Sequence, residues 1–294
     1  MVRTFRAKVV KKTLLGPHLI SVTLGGLTGY ATTDIPDEYV CVLFPPPGQA
    51  LVLPEISDDW VVTYPDGVIE PEQRVYTVSD YRVVDGMVEF DLDIVVHDDG
   101  VGCSWALDCK RGDEVGLIEP HGLYAAPEGV AWQLLVSDLT GVPALARILR
   151  GLQPGQRVDA TVVVRDGADE IALPSPADVT ATWKVVATEN EITDALTAAV
   201  TNCALPPSGR YVWLAGEARA SRAVRRYLRR ELLWPQSDFS TCGYWQIDAA
   251  KWNRRYEQFA EEVMTKAQEA EARAGGDEGA YLDALEDIYE SVGL

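Results

Sequence analysis

The sequence predicts an α/β two-domain chain: an N-terminal antiparallel Greek-key β-barrel, then a parallel-sheet α/β domain, then a C-terminal helical extension. Three observations predict it. Residues 1–127 hold short alternating strands broken by Gly and Pro turns, the pattern of a small barrel. From Trp132 to Tyr244, buried apolar runs alternate with helical stretches, the pattern of a parallel sheet. From about Asp248 to Leu294, apolar residues recur at helical spacing among acidic ones. The boundaries are placed at 1–127, 128–247 and 248–294.

In the first domain, Phe5 to Lys12 and His18 to Leu24 alternate at strand period around a Gly16-Pro17 turn, and Gly25-Gly26 closes the second strand. Tyr39 to Phe44 is a compact apolar strand stopped by Pro45-Pro46-Pro47-Gly48, and Trp60 to Gly67 reads as loop. Arg74 to Val84 and Met87 to His97 flank Asp85-Gly86, a strong hairpin turn. After His97, the Gly100-Val101-Gly102-Cys103-Ser104 run reads as a turn entering a helix at Trp105, whose free backbone amides would suit an anion. Val115 to Ile118 is the last strand, and Pro120-His121-Gly122 closes the module.

In the second domain, Gln133 to Ser137, Arg157 to Arg165, Trp183 to Ala187, Tyr211 to Ala215 and Phe239 to Tyr244 read as strands. Helices are expected over Ala144 to Leu152, Glu191 to Ala199 and Ala220 to Leu232. Ligands of such sheets bind at the carboxyl ends of the strands, where Asp138, Thr140, Gly216, Glu217 and Cys242 fall. In the extension, Trp252, Tyr256, Phe259 and Val263 share one face, and Ala274-Gly275-Gly276-Asp277 breaks the helix before a shorter stripe.

The net charge of −19 disfavours nucleic acid and anionic membranes as partners. No apolar run is long enough to span a bilayer, and the N-terminus has no secretory pattern. The five Cys are scattered without CxxC or metal spacing and there are three His, so a reduced, cytoplasmic protein with no metal site of its own is expected.

Arg74-Val75-Tyr76-Thr77 carries the chemistry. An Arg, an aromatic and a hydroxyl on one strand can bind a flavin. The forked guanidinium meets a pyrophosphate, the ring lies on the isoalloxazine, and the hydroxyl reaches its edge. The same four residues also fit an ordinary strand with one solvated face.

Taken together, the motifs in their order resemble the siderophore-interacting protein family, flavin-dependent ferric-siderophore reductases of the ferredoxin-reductase-like group. The residues concerned are Val40 to Gly48, Arg74 to Val78, Asp93 to His97, Gly100 to Ala106, Leu135 to Thr140 with Pro143, Trp213 to Glu217, and Gly243-Tyr244-Trp245. The resemblance implies FAD, and NADPH or NADH as electron donor. It places the FAD on Arg74, Val75, Tyr76, Thr77, Asp93, His97, Val101, Gly102, Cys103 and Ser104. Tyr76 and Thr77 lie at the reacting ring, Asp138 and Thr140 at the flavin–nicotinamide junction, and Gly216, Glu217 and Arg222 at the nucleotide. Tyr244 and Trp245 are placed where substrate approaches, with Lys251 and Arg254 as basic groups nearby.

Two positions depart from the family pattern. Ser79 stands where an Arg is usual, and Cys41 where a Lys is usual. Both remove positive charge, which favours a ferric hydroxamate or mixed-ligand complex over a tris-catecholate. Arg222, Arg225 and Arg226 tilt the donor towards NADPH. The other readings are a ferredoxin-driven reductase, a non-catalytic siderophore-binding protein, and a flavin reductase for another acceptor. A monomer is expected.

Overall fold

The computed structural model describes residues 2–97 and 100–294. The first domain comprises β1 (Thr4–Gly16), β2 (Leu19–Leu27), β3 (Tyr39–Phe44), β4 (Glu55–Ile56), β5 (Val62–Thr63), β6 (Glu72–Val84), β7 (Met87–Val95), helix α1 (Val101–Asp108) and β8 (Glu114–His121). The strands β1-β2-β7-β6-β3-β8 close into an antiparallel barrel, while β4 and β5 pair separately. Alternate residues fill the barrel, among them Val22, Val40, Val42, Phe90, Leu92 and Leu117, all essentially inaccessible. Each such side chain contributes roughly 1.5–3 kcal/mol by leaving water. The opposite parity points outward; Val75 and Thr77 of β6 lie on that outer face, while Arg74 and Tyr76 share the inner parity of Val42 and Val40.

The β6–β7 turn has the expected form. Asp85 at φ 50° and Gly86 at φ 77° are both left-handed, which suits the twist of the strands they join. Trp60 to Gly67 is not all loop, because Val62–Thr63 pairs with Glu55–Ile56 in a short hairpin. The sequence hid it because strands of two residues show no periodicity. Helix α1 starts at Val101, so Gly102, Cys103 and Ser104 lie in its first turn rather than ahead of it.

The second domain comprises β9 (Trp132–Asp138), α2 (Val142–Gly151), β10 (Arg157–Val164), β11 (Asp178–Val185), α3 (Glu189–Thr201), β12 (Arg210–Glu217), α4 (Ala218–Arg226) and β13 (Phe239–Trp245). All neighbours in the order β11-β10-β9-β12-β13 run parallel. The central strand β9 is buried on both sides. Leu134 and Val136 pack towards α3 and α4, and Leu135 packs towards α2. Strand β11 starts at Asp178, ahead of the expected Trp183; it is a mostly exposed edge strand, so its Thr and Asp residues give no apolar signal. Helix α4 ends at Arg226 and passes into a π-helical turn over Tyr227–Glu231.

The chain closes with α5 (Ala249–Ala274) and α6 (Glu278–Ser291). Gly275 and Gly276 break the helix with positive φ, and Asp277 caps α6 through the Ala280 N–H at 3.0 Å. Tyr256, Phe259 and Val263 of α5 pack on Ile288 and Val292 from the α6 end of the hairpin.

Helix α2 lies between the parallel sheet and the barrel. Arg147 Nη1 donates to the Val78 carbonyl at 3.0 Å, and Arg150 donates to the Ser79 carbonyl. Asp169 accepts from the His18 backbone N–H at 3.0 Å and pairs with His18 Nδ1 at 2.8 Å. Buried Asp37 accepts from the Leu123 and Tyr124 N–H groups at 2.7 and 2.8 Å, and from Trp213 Nε1 at 3.4 Å. These bonds set β6 of the barrel against the carboxyl edge of the sheet.

Candidate functional site

The site forms where β6 meets the ends of β9, β12 and β13. Tyr76 anchors one side. Its phenol stands so close to α1 that a Cβ on Gly102 would lie 1.7 Å from its oxygen, so any larger residue would push the ring aside. Phe44 meets the Tyr76 ring edge-on with centroids 6.3 Å apart. Burial pushes the Tyr76 hydroxyl up to about 12, against the opposing pull of neighbouring Arg74. Tyr76 is therefore a neutral, fixed ring at neutral pH.

Beside it, the first turn of α1 offers its backbone amides with no side-chain cap. Gly100 adopts φ 125°, and a Cβ there would meet the His97 ring at 3.1 Å. Cys103 is buried; its thiol donates to the His97 carbonyl at 2.9 Å and accepts from the His97 N–H at 3.3 Å, tying strand exit to helix start. Arg74 is half-exposed and turned onto Glu72, at 3.2 Å, and onto the Gln73 carbonyl, at 2.6 Å. That surface pair is weak enough to yield to a phosphate. An uncapped helix start, two glycines that bring the backbone close to the Tyr76 and His97 rings, and an available guanidinium fit a dinucleotide pyrophosphate. Val75 is exposed on the outer face, and Val101 and Ser104 sit in the same helical turn.

Thr77 is buried, and its side chain lies near the Tyr244 hydroxyl of β13. Burial raises the Tyr244 hydroxyl far above its ordinary range, with Cys242 and Asp37 adding to the effect. Cys242 itself is pushed up to about 11 by burial, so it is a protonated thiol at neutral pH. Asp93 lies behind this layer. Burial raises its carboxyl against the opposing effect of nearby Ser21 and Ser79, and its Oδ1 has no partner among the described residues.

Asp138 closes the floor. Its Oδ1 accepts from the Thr140 N–H at 2.9 Å and from Thr140 Oγ1 at 2.6 Å, and its Oδ2 accepts from Trp245 Nε1 at 2.7 Å. Gly216, at φ 156°, leaves the room; a Cβ there would lie 2.5 Å from Asp138 Oδ2. Burial nonetheless outweighs these bonds and raises the Asp138 carboxyl. Asp138, Thr140, Gly216 and Trp245 thus form one interlocked unit.

Not every expected side chain is free to meet a ligand. Glu217 is fully buried, and its carboxylate accepts from the Arg219, Ala220 and Ile247 N–H groups and from Thr193 Oγ1. It caps α4 instead of presenting its carboxylate to a nucleotide. The reading of Arg225 and Arg226 as nucleotide-phosphate groups is corrected here. Arg225 bonds Gln236 at 2.8 Å, the Gly279 carbonyl at 3.0 Å and Asp283, and Arg226 pairs with Glu286 at 2.9 Å and with Glu290. Arg229 and Arg230 pair with Asp283 at 2.9 Å and Asp287 at 2.6 Å, so the acidic face of α6 is matched to the basic face of α4. Arg222 is half-buried beside Glu217, Glu286 and Tyr289. Lys251 and Arg254 are exposed near the start of α5, while Arg255 is turned away onto the Val292 carbonyl. No group of three or more His, Cys, Asp or Glu suited to a metal occurs among the described residues.

Sequence reasoning missed Asp37, Arg147 and Arg150, which hold the two halves of the site together. It also missed Tyr39 and His121, whose rings lie on the outer face of the barrel. Nothing local in the sequence marks them, because each acts through a partner far away in the chain.

Comparison with known proteins agrees with this geometry. The profile described as siderophore-interacting FAD-binding domain matches residues 8–124, and that described as siderophore-interacting protein matches residues 130–248. The NADPH-dependent ferric-chelate reductase of Escherichia coli is 30% identical over 231 residues, covering 76% of this chain and 85% of the relative. The ferric vibriobactin reductase of Vibrio cholerae is 28% identical over 242 residues, covering 81% of this chain and 87% of the relative. The crystal structure of a siderophore utilization protein from T. fusca superposes with a TM-score of 0.71 at 30% identity, over 84% of this chain and 94% of that one.

Proposed function

The chain belongs to the siderophore-interacting protein family, and on that premise we propose that it takes electrons from a nicotinamide nucleotide through FAD to the Fe(III) of a ferric siderophore, releasing Fe(II). One observation carries the reading. Arg147 of α2 donates to the Val78 carbonyl of β6 at 3.0 Å, which holds the flavin-type strand of the barrel against the parallel-sheet domain, and such sheets take nucleotides at their carboxyl edge.

The residues divide the work. Arg74 and the first-turn amides of α1, from Val101 to Ser104, hold the pyrophosphate, with His97 over Gly100 closing that end. Tyr76 and Thr77 present a neutral ring and a hydroxyl to the isoalloxazine. Asp138, Thr140 and Gly216 shape the junction where the nicotinamide enters, and Arg222 flanks it. Tyr244 and Trp245 cover the face from which the iron complex approaches. When bound, the flavin accepts two electrons as a pair and returns them singly, which matches a hydride donor to a one-electron acceptor. The protein supplies position and exclusion of water; no general base is required. Iron leaves because hard oxygen ligands hold Fe(II) far more weakly than Fe(III). The boundaries at 127 and 247, a cytoplasmic location and a monomeric state complete the proposal.

With Arg225 and Arg226 committed to α6, those side chains give no preference for NADPH over NADH. The donor is read by mixing the purified flavoprotein anaerobically with each nucleotide, then with a ferric tris-hydroxamate. Bleaching by one nucleotide and recovery with iron is the expected result. Bound flavin that neither nucleotide bleaches would move the donor role to a ferredoxin, and a preparation that cannot take up flavin would end the proposal.

A further inference from the structure

The outer face of the barrel beside Thr77 carries a line of aromatic rings. In the strand register Tyr39 pairs with Thr77 on one side and with His121 on the other. The Tyr39 and His121 rings lie 5.9 Å apart between centroids, and the Trp60 indole lies 5.4 Å beyond His121. Trp60 is 52% exposed, so the line begins in solvent and ends at Thr77. Trp60 also has φ 60°, a left-handed conformation that an ordinary side chain rarely adopts. A Gly or Asn would occupy that turn at less cost, so the strain is spent on placing an indole. The turn is held by the Trp60 N–H on the Ser57 carbonyl at 3.1 Å and by the β4–β5 pair.

Two buried polar atoms on these segments lack partners among the described residues. His121 Nε2 is buried with no hydrogen-bond partner among the described residues, and so is the Tyr64 hydroxyl on the same loop. Cys41, close to Tyr64 and in the position where a Lys was expected, is a thiol that burial keeps neutral. The loop from Gln49 to Gln73 contains Glu55, Asp58, Asp59, Asp66, Glu70 and Glu72 and not one Lys or Arg. Arg74, at the loop's edge, is paired with Glu72. Asp59 directly precedes Trp60, so the loop that carries the indole is an acidic one.

We propose that Trp60, His121 and Tyr39 form the docking wall for the iron complex, and that its acidic rim selects a ferric tris-hydroxamate of neutral or positive charge. The conjugated chelate rings of such a complex lie against the indole and imidazole. Its metal then sits next to the Thr77 end of the line. A trianionic tris-catecholate meets the carboxylates of Glu55, Asp59, Asp66 and Glu70 on a loop with no Lys or Arg, and is rejected by repulsion. This assignment rests on the reductase reading for its electrons, but not for its binding.

Binding is tested with a redox-inert probe, the Ga(III) complex of a linear tris-hydroxamate bearing a free ammonium, by quenching or shift of tryptophan fluorescence and by calorimetry on the flavin-loaded protein. Trp60→Ala weakens it about five- to tenfold, the span of an aromatic contact, and Trp60→Phe restores most of the loss. Added salt weakens the cationic complex and does not weaken the Ga(III) tris-catecholate. Thermal midpoint and flavin content confirm that the variants are folded. Equal binding by Trp60→Ala and wild type, or tighter binding of the catecholate at low salt, overturns the assignment. Trp60-dependent binding of the gallium complex without reduction of its ferric counterpart keeps the assignment and removes the reductase reading. Reduction that is indifferent to Trp60 does the reverse.

Discussion

Asp138→Asn tests the junction between the two halves of the site. The carboxylate accepts from three donors, Thr140 N–H, Thr140 Oγ1 and Trp245 Nε1, at 2.6–2.9 Å. Asparagine has one acceptor oxygen. If that oxygen keeps Thr140, the amide NH2 faces the Trp245 N–H, donor against donor, and Gly216 leaves no space for either to move. A hydrogen bond to a charged group contributes about 1.5–3 kcal/mol, and a stranded buried donor costs about 1–3 kcal/mol. The two overlap, and part is offset because asparagine carries no charge to desolvate. The net loss is about 2 kcal/mol, or about 4–8 °C in Tm for a chain of this class. Trp245→Phe removes one donor, and the double-mutant cycle should return a coupling of about 1–3 kcal/mol. The pH dependence has a definite sign. The folded carboxyl titrates above its unfolded value, so between the two the folded state binds the extra proton, and stability falls as pH rises through the folded value. Asparagine lacks this contribution, so the margin of wild type over Asp138→Asn is widest at the acid end and narrows upward. Thermal melts in buffers from about pH 5 to pH 8 measure it. A variant that melts within a degree of wild type, or strict additivity with Trp245→Phe, would refute the interlocked floor.

Gly102→Ala gains about 1 kcal/mol of helix propensity but forces the Tyr76 ring aside, so flavin content by absorbance falls; in a Tyr76→Ala background the same change should raise Tm instead. Cys242→Ser should change the rate of flavin bleaching by nucleotide less than about tenfold, because a thiol held near 11 supplies no thiolate at neutral pH. Asp169→Ala removes both His18 contacts between the β1–β2 hairpin and the second domain and should cost about 1–3 kcal/mol, read as a lower urea midpoint. Arg225→Ala leaves the Gly279 carbonyl and Gln236 without their donor, and limited proteolysis should then release the α5–α6 hairpin sooner than in wild type.

The sequence alone determined the architecture. The Asp85-Gly86 turn, the glycine break at 275–276, and the apolar runs of β9 and β12 are decided by local sterics and by burial on one face or two, and these act over a few residues. It also singled out the strand proposed to hold the flavin, because Arg74 and Tyr76 are spaced by the period of the strand and Thr77 follows on its other face. Tertiary structure decided which charges are free. Arg225, Arg226 and Glu217 read as ligands for a nucleotide because nothing nearby in the chain neutralises them; their partners lie on α6, on α3 and beyond β13. It decided where Arg150 goes, since this side chain bonds the Ser79 carbonyl from another domain. It also brought Trp60, His121 and Tyr39 into one line. Ring contacts and ion pairs between distant residues depend on strand register and helix docking, and those are fixed only when the whole core closes.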